Sequence, residues 1–268
     1  MARNFFVIRH SSSIIWHALP SSARRAIRRL MLRMGVPPHD SGQKPTLPEN
    51  LLSVSQGGQD YWVYGEAFNE MTGGYFVDIG AHDGISKSNT YLLEKRYSWK
   101  GLCVEANPLT FRLLTQNRSC CCVNACIDAK QRKVKFALKG YLSGIVAADC
   151  DNKAEPDYET VEIPAQTLVS VLEEVEAPQT IEYLTVDIEG AEDRALMGFP
   201  FDRFQFKCLT IERPSAALRA KLVTHGYRQV KEIPWLDCFF IHSSFANTYH
   251  QNAVDFHEKK KLLFKRVD

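Results

Sequence analysis

Apolar residues in this chain come in short runs separated by amphipathic stretches, and that alternation is the first structural signal. Tyr75–Ile79 is a mostly apolar run ending in Gly80-Ala81-His82-Asp83-Gly84, after which residues 91–97 carry a helical pattern. A second run, 101–105, precedes Asn107-Pro108 and a helical pattern through Phe111, Leu113 and Leu114. Pro108 suits a first helical turn, where a missing N–H costs nothing. A third run, 120–127, ends at Asp128 and predicts one buried strand. Residues 133–138 and 159–163 read as two more strands around a polar excursion, 140–158, long enough to be an inserted loop over a site. A helix over 168–175 leads to strand 183–187, and strand 208–212 follows. Beyond Pro214 a helix through Leu218 and Leu222 ends near Gly226, and 227–233 and 238–241 read as closing strands joined by a short turn around Pro234.

Strand and helix in alternation predict an α/β fold, a Rossmann-like, doubly wound and mostly parallel sheet. The two closing strands predict an antiparallel edge hairpin. Ligands of such sheets lie beyond the carboxyl ends of the strands, and here Asp78, Glu105, Asp128, Asp187 and Glu212 stand at or beside those ends. One such acid alone is more often a cap or turn residue; the recurrence on successive strands is the signal. Gly80 and Gly84 bracket a turn that calls for unusual backbone angles or a close ligand approach. Glu105 follows that turn at a distance suited to accepting from ribose hydroxyls, and Asp128 would lie near an adenine.

Asp187 and Glu189 are two apart at a strand end, while Glu189 and Glu192 can share one face of the next helix. These acids could act as general base toward a hydroxyl, hold a divalent cation that orients vicinal hydroxyls, or cap a helix. A cap or an acceptor contact is preferred, and no metal ligand is assigned. His82 could take a proton as a neutral imidazole. Gln59 and Asp60 precede the first core strand, where they could contact an acceptor or cap a helix that runs through Trp62 and Phe68. Tyr61, Trp62, Tyr64 and Tyr75 could stack on a sugar, although such a cluster is more often core. The Gly80–Gly84 turn is neither the glycine fingerprint of nicotinamide enzymes nor a P-loop.

Charge divides the chain. Residues 1–39 hold seven arginines and no acid, which leaves 26 basic against 31 acidic groups in the rest, a net −5. A mildly acidic body disfavours a nucleic-acid partner, whose phosphates it would repel. Residues 1–49 thus form a basic arm, 50–245 the main domain and 246–268 a charged tail. Ala23, Ala26, Ile27, Leu30, Met31 and Met34 recur at helical spacing opposite arginines, predicting a basic amphipathic helix over 21–34. That helix could touch a membrane surface, serve as a targeting segment, or dock on its own domain. The eight cysteines include no CxxC pair and read as free thiols in a reducing, cytoplasmic setting.

The ordered segments SQGGQDYWV (55–63), FVDIGAHDG (76–84), SNT (88–90), GLCVEANP (101–108), NRSC (117–120), LTVDIEGAE (184–192) and TIERP (210–214) resemble the FkbM-type methyltransferases. The resemblance spans about residues 53–242 and implies a class I methyltransferase fold. It also implies S-adenosylmethionine as cofactor and hydroxyls of sugars, glycans or related small molecules as acceptors. Carried over, Asp78, Gly80, Ala81, Asp83, Gly84 and Asn89 would surround the methionine part, Glu105 the ribose, Asn107 the adenosine and Asp128 the adenine. Asp187, Glu189 and His82 would serve catalysis, with Gln59, Asp60 and Glu212 toward the acceptor. The other reading is a methyltransferase-like domain without catalysis, serving as a membrane-associated interaction or trafficking factor. The glycines and strand-end acids, all present, argue against it.

Overall fold

The structure, a computed structural model, describes residues 7–8, 51–153 and 158–246. The chain divides into two units, Met1–Val7 with Leu52–Asp268, and Ile8–Leu51. The helix expected over 21–34 and the tail beyond residue 246 lie outside the described residues. Among the described residues no helix is long and apolar enough to cross a membrane.

Seven strands of the eight-stranded central sheet come from the main domain: β1 (Tyr75–Ile79), β2 (Lys100–Val104), β3 (Cys121–Val123), β8 (Thr180–Val186), β9 (Gln205–Glu212), β10 (Tyr227–Glu232) and β11 (Asp237–His242). The eighth is the two-residue Val7–Ile8. The seven lie in the order β3-β2-β1-β8-β9-β11-β10. All pairs from β3 to β9 are parallel, while β11 is antiparallel to both neighbours. The expected edge hairpin is present, with its second strand inserted next to β9.

Continuous apolar runs make these strands because both faces are covered. Val77, Ile79, Leu102, Val104, Leu184, Val186, Leu209 and Ile211 are all at most 1% exposed and form one core. Among the described residues α1 (Gln59–Tyr61), continued as a π-helical turn over Trp62–Ala67, precedes β1, and α2 (Tyr91–Lys95), α3 (Pro108–Asn117), α4 (Leu168–Glu174), α5 (Glu192–Leu196) and α6 (Ala216–Thr224) connect the strands. Tyr61, Trp62 and Tyr64 are buried core residues, not a sugar platform. Asn107 caps α3 by accepting from Leu109 N at 2.9 Å, with Pro108 as the first helical residue.

The single strand expected over 120–127 is two. β3 ends at Val123, Asn124 ties back through Nδ2 to the Glu105 carbonyl at 2.7 Å, and β4 (Cys126–Ile127) joins a second sheet. That sheet has the order β4-β7-β5-β6, built from β5 (Arg132–Ala137), β6 (Gly144–Ile145) and β7 (Thr160–Gln166). Within the excursion a 3₁₀ turn over Gly140–Leu142 leads into β6, beside a small core of Val134, Phe136, Ile145 and Ala165.

Candidate functional site

The sheet reverses direction of winding between β1 and β8, where one crossover leads to β2 and the other to β9, and the crevice at such a switch point is the expected ligand site. Gly80 and Asp187 meet there. Gly80 has φ +93, and a Cβ on it would stand 1.8 Å from the Asp187 carbonyl oxygen. Only glycine lets the two strand ends approach so closely. Gly84, at φ +79, is required for another contact, because its Cβ would collide with Leu114 and Arg118.

Two cavities open from this point. A narrow cleft is walled by Val104, Glu105, Ala125, Cys126, Ile127, Phe136 and Ile145, among others. A wider one of about 440 Å³ is lined by Gln59, Asp78, Ala81, Asn89, Glu189, Glu212 and Trp235, among others. Gly80, His82, Tyr141 and Asp187 line both, so the two form one channel with these residues at its junction.

On the cleft side, both oxygens of Glu105 are aligned by backbone: Oε2 accepts from His82 N at 2.8 Å and Oε1 from Asn107 N at 2.7 Å. Burial pushes its carboxyl up, and these hydrogen bonds oppose the rise. Each oxygen keeps a lone pair for a further donor. On the wide-cavity side, Asp78 is also buried, which raises its carboxyl against the pull of Arg118 and of Thr90, whose hydroxyl donates at 2.6 Å. Asn89 donates to Thr185 Oγ1 at 2.9 Å.

The wide cavity collects acids with far fewer donors. Asp187, Glu189 and Glu212 each bring one oxygen within 4.8 Å of the others, a set that could take a divalent cation. Asp237 stands beside Glu212 across the β9–β11 ladder and accepts from Gln59 Nε2 at 2.6 Å. Asp187 is exposed at the cavity; desolvation first, then the crowding of Glu212, Asp237 and Glu189, pushes its carboxyl upward. Burial and Glu212 push Glu189 up to about 7, and burial with the same neighbour holds Asp237 at about 6. Arg213 pairs with this cluster, reaching Glu212 at 3.0 Å, Glu189 at 3.9 Å and Asp151 at 2.5 Å. Glu192 instead caps the turn, accepting from Ile188 N at 2.8 Å and Gly190 N at 3.3 Å.

Five expected site residues stand away from both cavities. Asp128 is buried and held by Arg132 at 2.5 Å and Arg194 at 3.3 Å; burial would raise its carboxyl, but the arginines keep it below the ordinary value. Its place at a sheet-to-sheet corner follows from the split of the 120–127 run. Asp83 closes its own turn by accepting from Ile85 N and Ser86 N, Gly84 packs on α3, and Asn107 serves as a cap. Asp60 is fully buried, accepting from Ser53, Val54, Ser55 and Tyr61, and anchors residues 53–55 to α1. His82 does reach the junction, where its ring stacks on Tyr141 at 4.0 Å between centroids.

Sequence reasoning overlooked Tyr141, Arg213, Asp237 and Trp235. For Asp237 a signal existed: an antiparallel strand inserted beside β9 starts, rather than ends, at the ligand side.

A model of the methyltransferase FkbM domain matches residues 78–228. The chain belongs to the FkbM methyltransferase family. That is the family which the ordered motifs resemble. Among solved structures it is similar to the methyltransferase FkbM from Methylobacillus flagellatus KT, at 14% identity and a TM-score of 0.42, covering 69% of this chain. The chain spans about half the length of that protein, 50%. It is also similar to the METTL16 MTase domain, at 14% identity and a TM-score of 0.41, covering 83% of this chain and 81% of that one. A third is the N-terminal domain of human METTL16 in complex with SAH, at 14% identity and a TM-score of 0.40, with 84% of each chain covered. No curated protein matches the chain.

The donor set of this FkbM domain fits the S-adenosylmethionine that the resemblance implies. The apolar cleft of Ala125, Ile127, Phe136 and Ile145 suits a flat adenine, and Glu105 beside it suits a ribose diol. Asp78 and Asn89, which line the wide cavity, are polar groups of the kind the cofactor's amino-acid end would need.

Proposed function

We propose that this FkbM domain transfers a methyl group to a hydroxyl of a sugar, glycan or related polyhydroxy molecule. The observation that carries this reading is the set of Asp187, Glu189 and Glu212 in the wide cavity, directly across the junction from Glu105 and the apolar cleft. Crowded carboxylates accept from several neighbouring hydroxyls at once, and those that hold a proton can also donate. The same crowding repels phosphates, which speaks against a nucleic-acid acceptor.

When bound, S-adenosylmethionine supplies an electrophilic methyl on its sulfonium. Glu105 and the apolar cleft would hold the adenosyl end, with Gly80, His82, Tyr141 and Asp187 at the junction beyond it. Methyl transfer is a direct displacement, and its rate depends on holding the acceptor oxygen in line with the methyl. Glu189 and Glu212 orient the acceptor hydroxyls. Asp187, at the junction, accepts the proton of the attacking hydroxyl; desolvation and its acidic neighbours make it a stronger base than an ordinary aspartate. His82, stacked on Tyr141, closes the junction against water.

The test is transfer of a radiolabelled methyl from S-adenosylmethionine to a panel of glycosides, polyols, RNA and peptides, with and without EDTA. Labelling of glycosides or polyols, lost in Asp187→Asn, supports the reading. Labelling confined to RNA or peptide overturns it.

A further inference from the structure

The turn between β10 and β11 holds a residue that the fold itself does not explain. Leu236 N donates to Ile233 O at 3.0 Å, closing a four-residue turn in which Pro234 comes second and Trp235 third. Trp235 has φ +65. Proline second and a left-handed residue third make a type II turn, whose third position is suited to glycine and strained for any residue with a Cβ. The indole recovers nothing by packing, since Trp235 is 93% exposed. Among the described residues it has no ring or cation contact.

Its position supplies the missing reason. Of the five exposed large hydrophobic side chains among the described residues, Tyr141, Leu142 and Trp235 line the wide cavity. Tyr141 is already committed, with His82 stacked on its ring and Lys87 Nζ 4.8 Å from its centroid. Trp235 is uncommitted. Its turn is fixed to the acidic cluster, because Arg213 N donates to Leu236 O at 3.0 Å and Asp237 follows directly. The turn that carries the indole and the strand ends that carry the carboxylates thus share one corner of the cavity.

We propose that Trp235 is the specificity-determining platform of the acceptor site, and that the acceptor is a ring-form sugar. The C–H face of a pyranose lies on the indole while its hydroxyls face Glu189, Glu212 and Asp187. An aromatic face selects for a flat apolar surface, which an acyclic polyol lacks. This inference rests on hydroxyl methylation at the same cavity.

The experiment measures methyl transfer to methyl α-mannopyranoside, methyl β-galactopyranoside and sorbitol by wild type, Trp235→Gly and Trp235→Phe, with melting temperature and S-adenosylmethionine affinity measured alongside. Trp235→Gly is expected to melt at the same or a higher temperature and to bind the cofactor as wild type does. Its KM for the pyranoside rises about tenfold or more while kcat changes by less than about threefold, the mark of lost uniform binding. Trp235→Phe recovers most of the loss, and sorbitol is the poorer substrate throughout. A wild-type KM in Trp235→Gly, or sorbitol used as well as the pyranosides, removes the platform and leaves hydroxyl methylation standing. Absence of transfer from the wild type to all three probes overturns both.

Discussion

The cleft and the wide cavity meet at Asp187 but are built differently. In the cleft Glu105 has both oxygens aligned by the main-chain N–H groups of His82 and Asn107. In the wide cavity Asp187, Glu189, Glu212 and Asp237 crowd one another, with Arg213 and Gln59 as their principal partners. On the proposed reading, a fixed ligand such as the cofactor would meet a preorganised group. Acids kept short of donors retain capacity for an acceptor to satisfy.

The difference is open to test, and the largest effect is expected beneath the cofactor turn. Arg118 is buried, ion-paired to Glu94 at 2.6 Å, and donates to Gly84 O, Ser88 Oγ and Thr90. Burial alone would raise Glu94, yet Arg118 holds it down at about 2. Arg118→Met takes the buried guanidinium from Glu94, which keeps only Lys95 and Ser119 N, and from Asp78, and should cost roughly 3–5 kcal/mol of stability in a denaturant titration. An unchanged midpoint would show that the cofactor half does not depend on it.

Next comes Asp187. Asp187→Asn should lower kcat by roughly 10²–10⁴-fold, the usual size of a general-base contribution, with cofactor affinity kept. Equal losses in both would merge the two halves. A smaller effect is expected from Glu105→Ala, which should weaken cofactor binding by about 1–3 kcal/mol through lost hydrogen bonds.

The subtlest effect is on pH. Glu189 is raised to about 7 from an ordinary 4.5, so the folded state holds a proton that the unfolded chain has released. Its contribution to stability is full below about 4.5 and is lost as pH rises to about 7. Turnover should run the other way, rising as the acids ionise. Glu189→Gln is expected to flatten the fall in melting temperature across that window; an unaltered slope would assign the fall to Asp237 or Glu192.

The same division governs how much the sequence disclosed. Strand ends with a glycine turn or an acid follow from local patterns, so the parallel sheet, the closing hairpin, Gly80 and Glu105 were all readable from the residues. Asp128 was misplaced because 120–127 looks like one strand, and only the tie from Asn124 to the Glu105 carbonyl reveals the break. Asp83 and Asp60 carry the right residue type but spend it on nearby main-chain and hydroxyl donors, a choice invisible without coordinates. Trp235 and Tyr141 enter the cavity from the β10–β11 turn and the inserted segment, and their arrival depends on tertiary packing rather than on any spacing.

The central claim is that one channel holds the cofactor at its Glu105 end and the acceptor at its acidic end. Calorimetric titration of S-adenosylmethionine into wild type, Glu105→Ala and Glu189→Gln tests it most directly. Binding by wild type and Glu189→Gln with equal affinity, and a loss of about tenfold or more in Glu105→Ala, is the predicted result. Full affinity in Glu105→Ala, or a matching loss in Glu189→Gln, would contradict it.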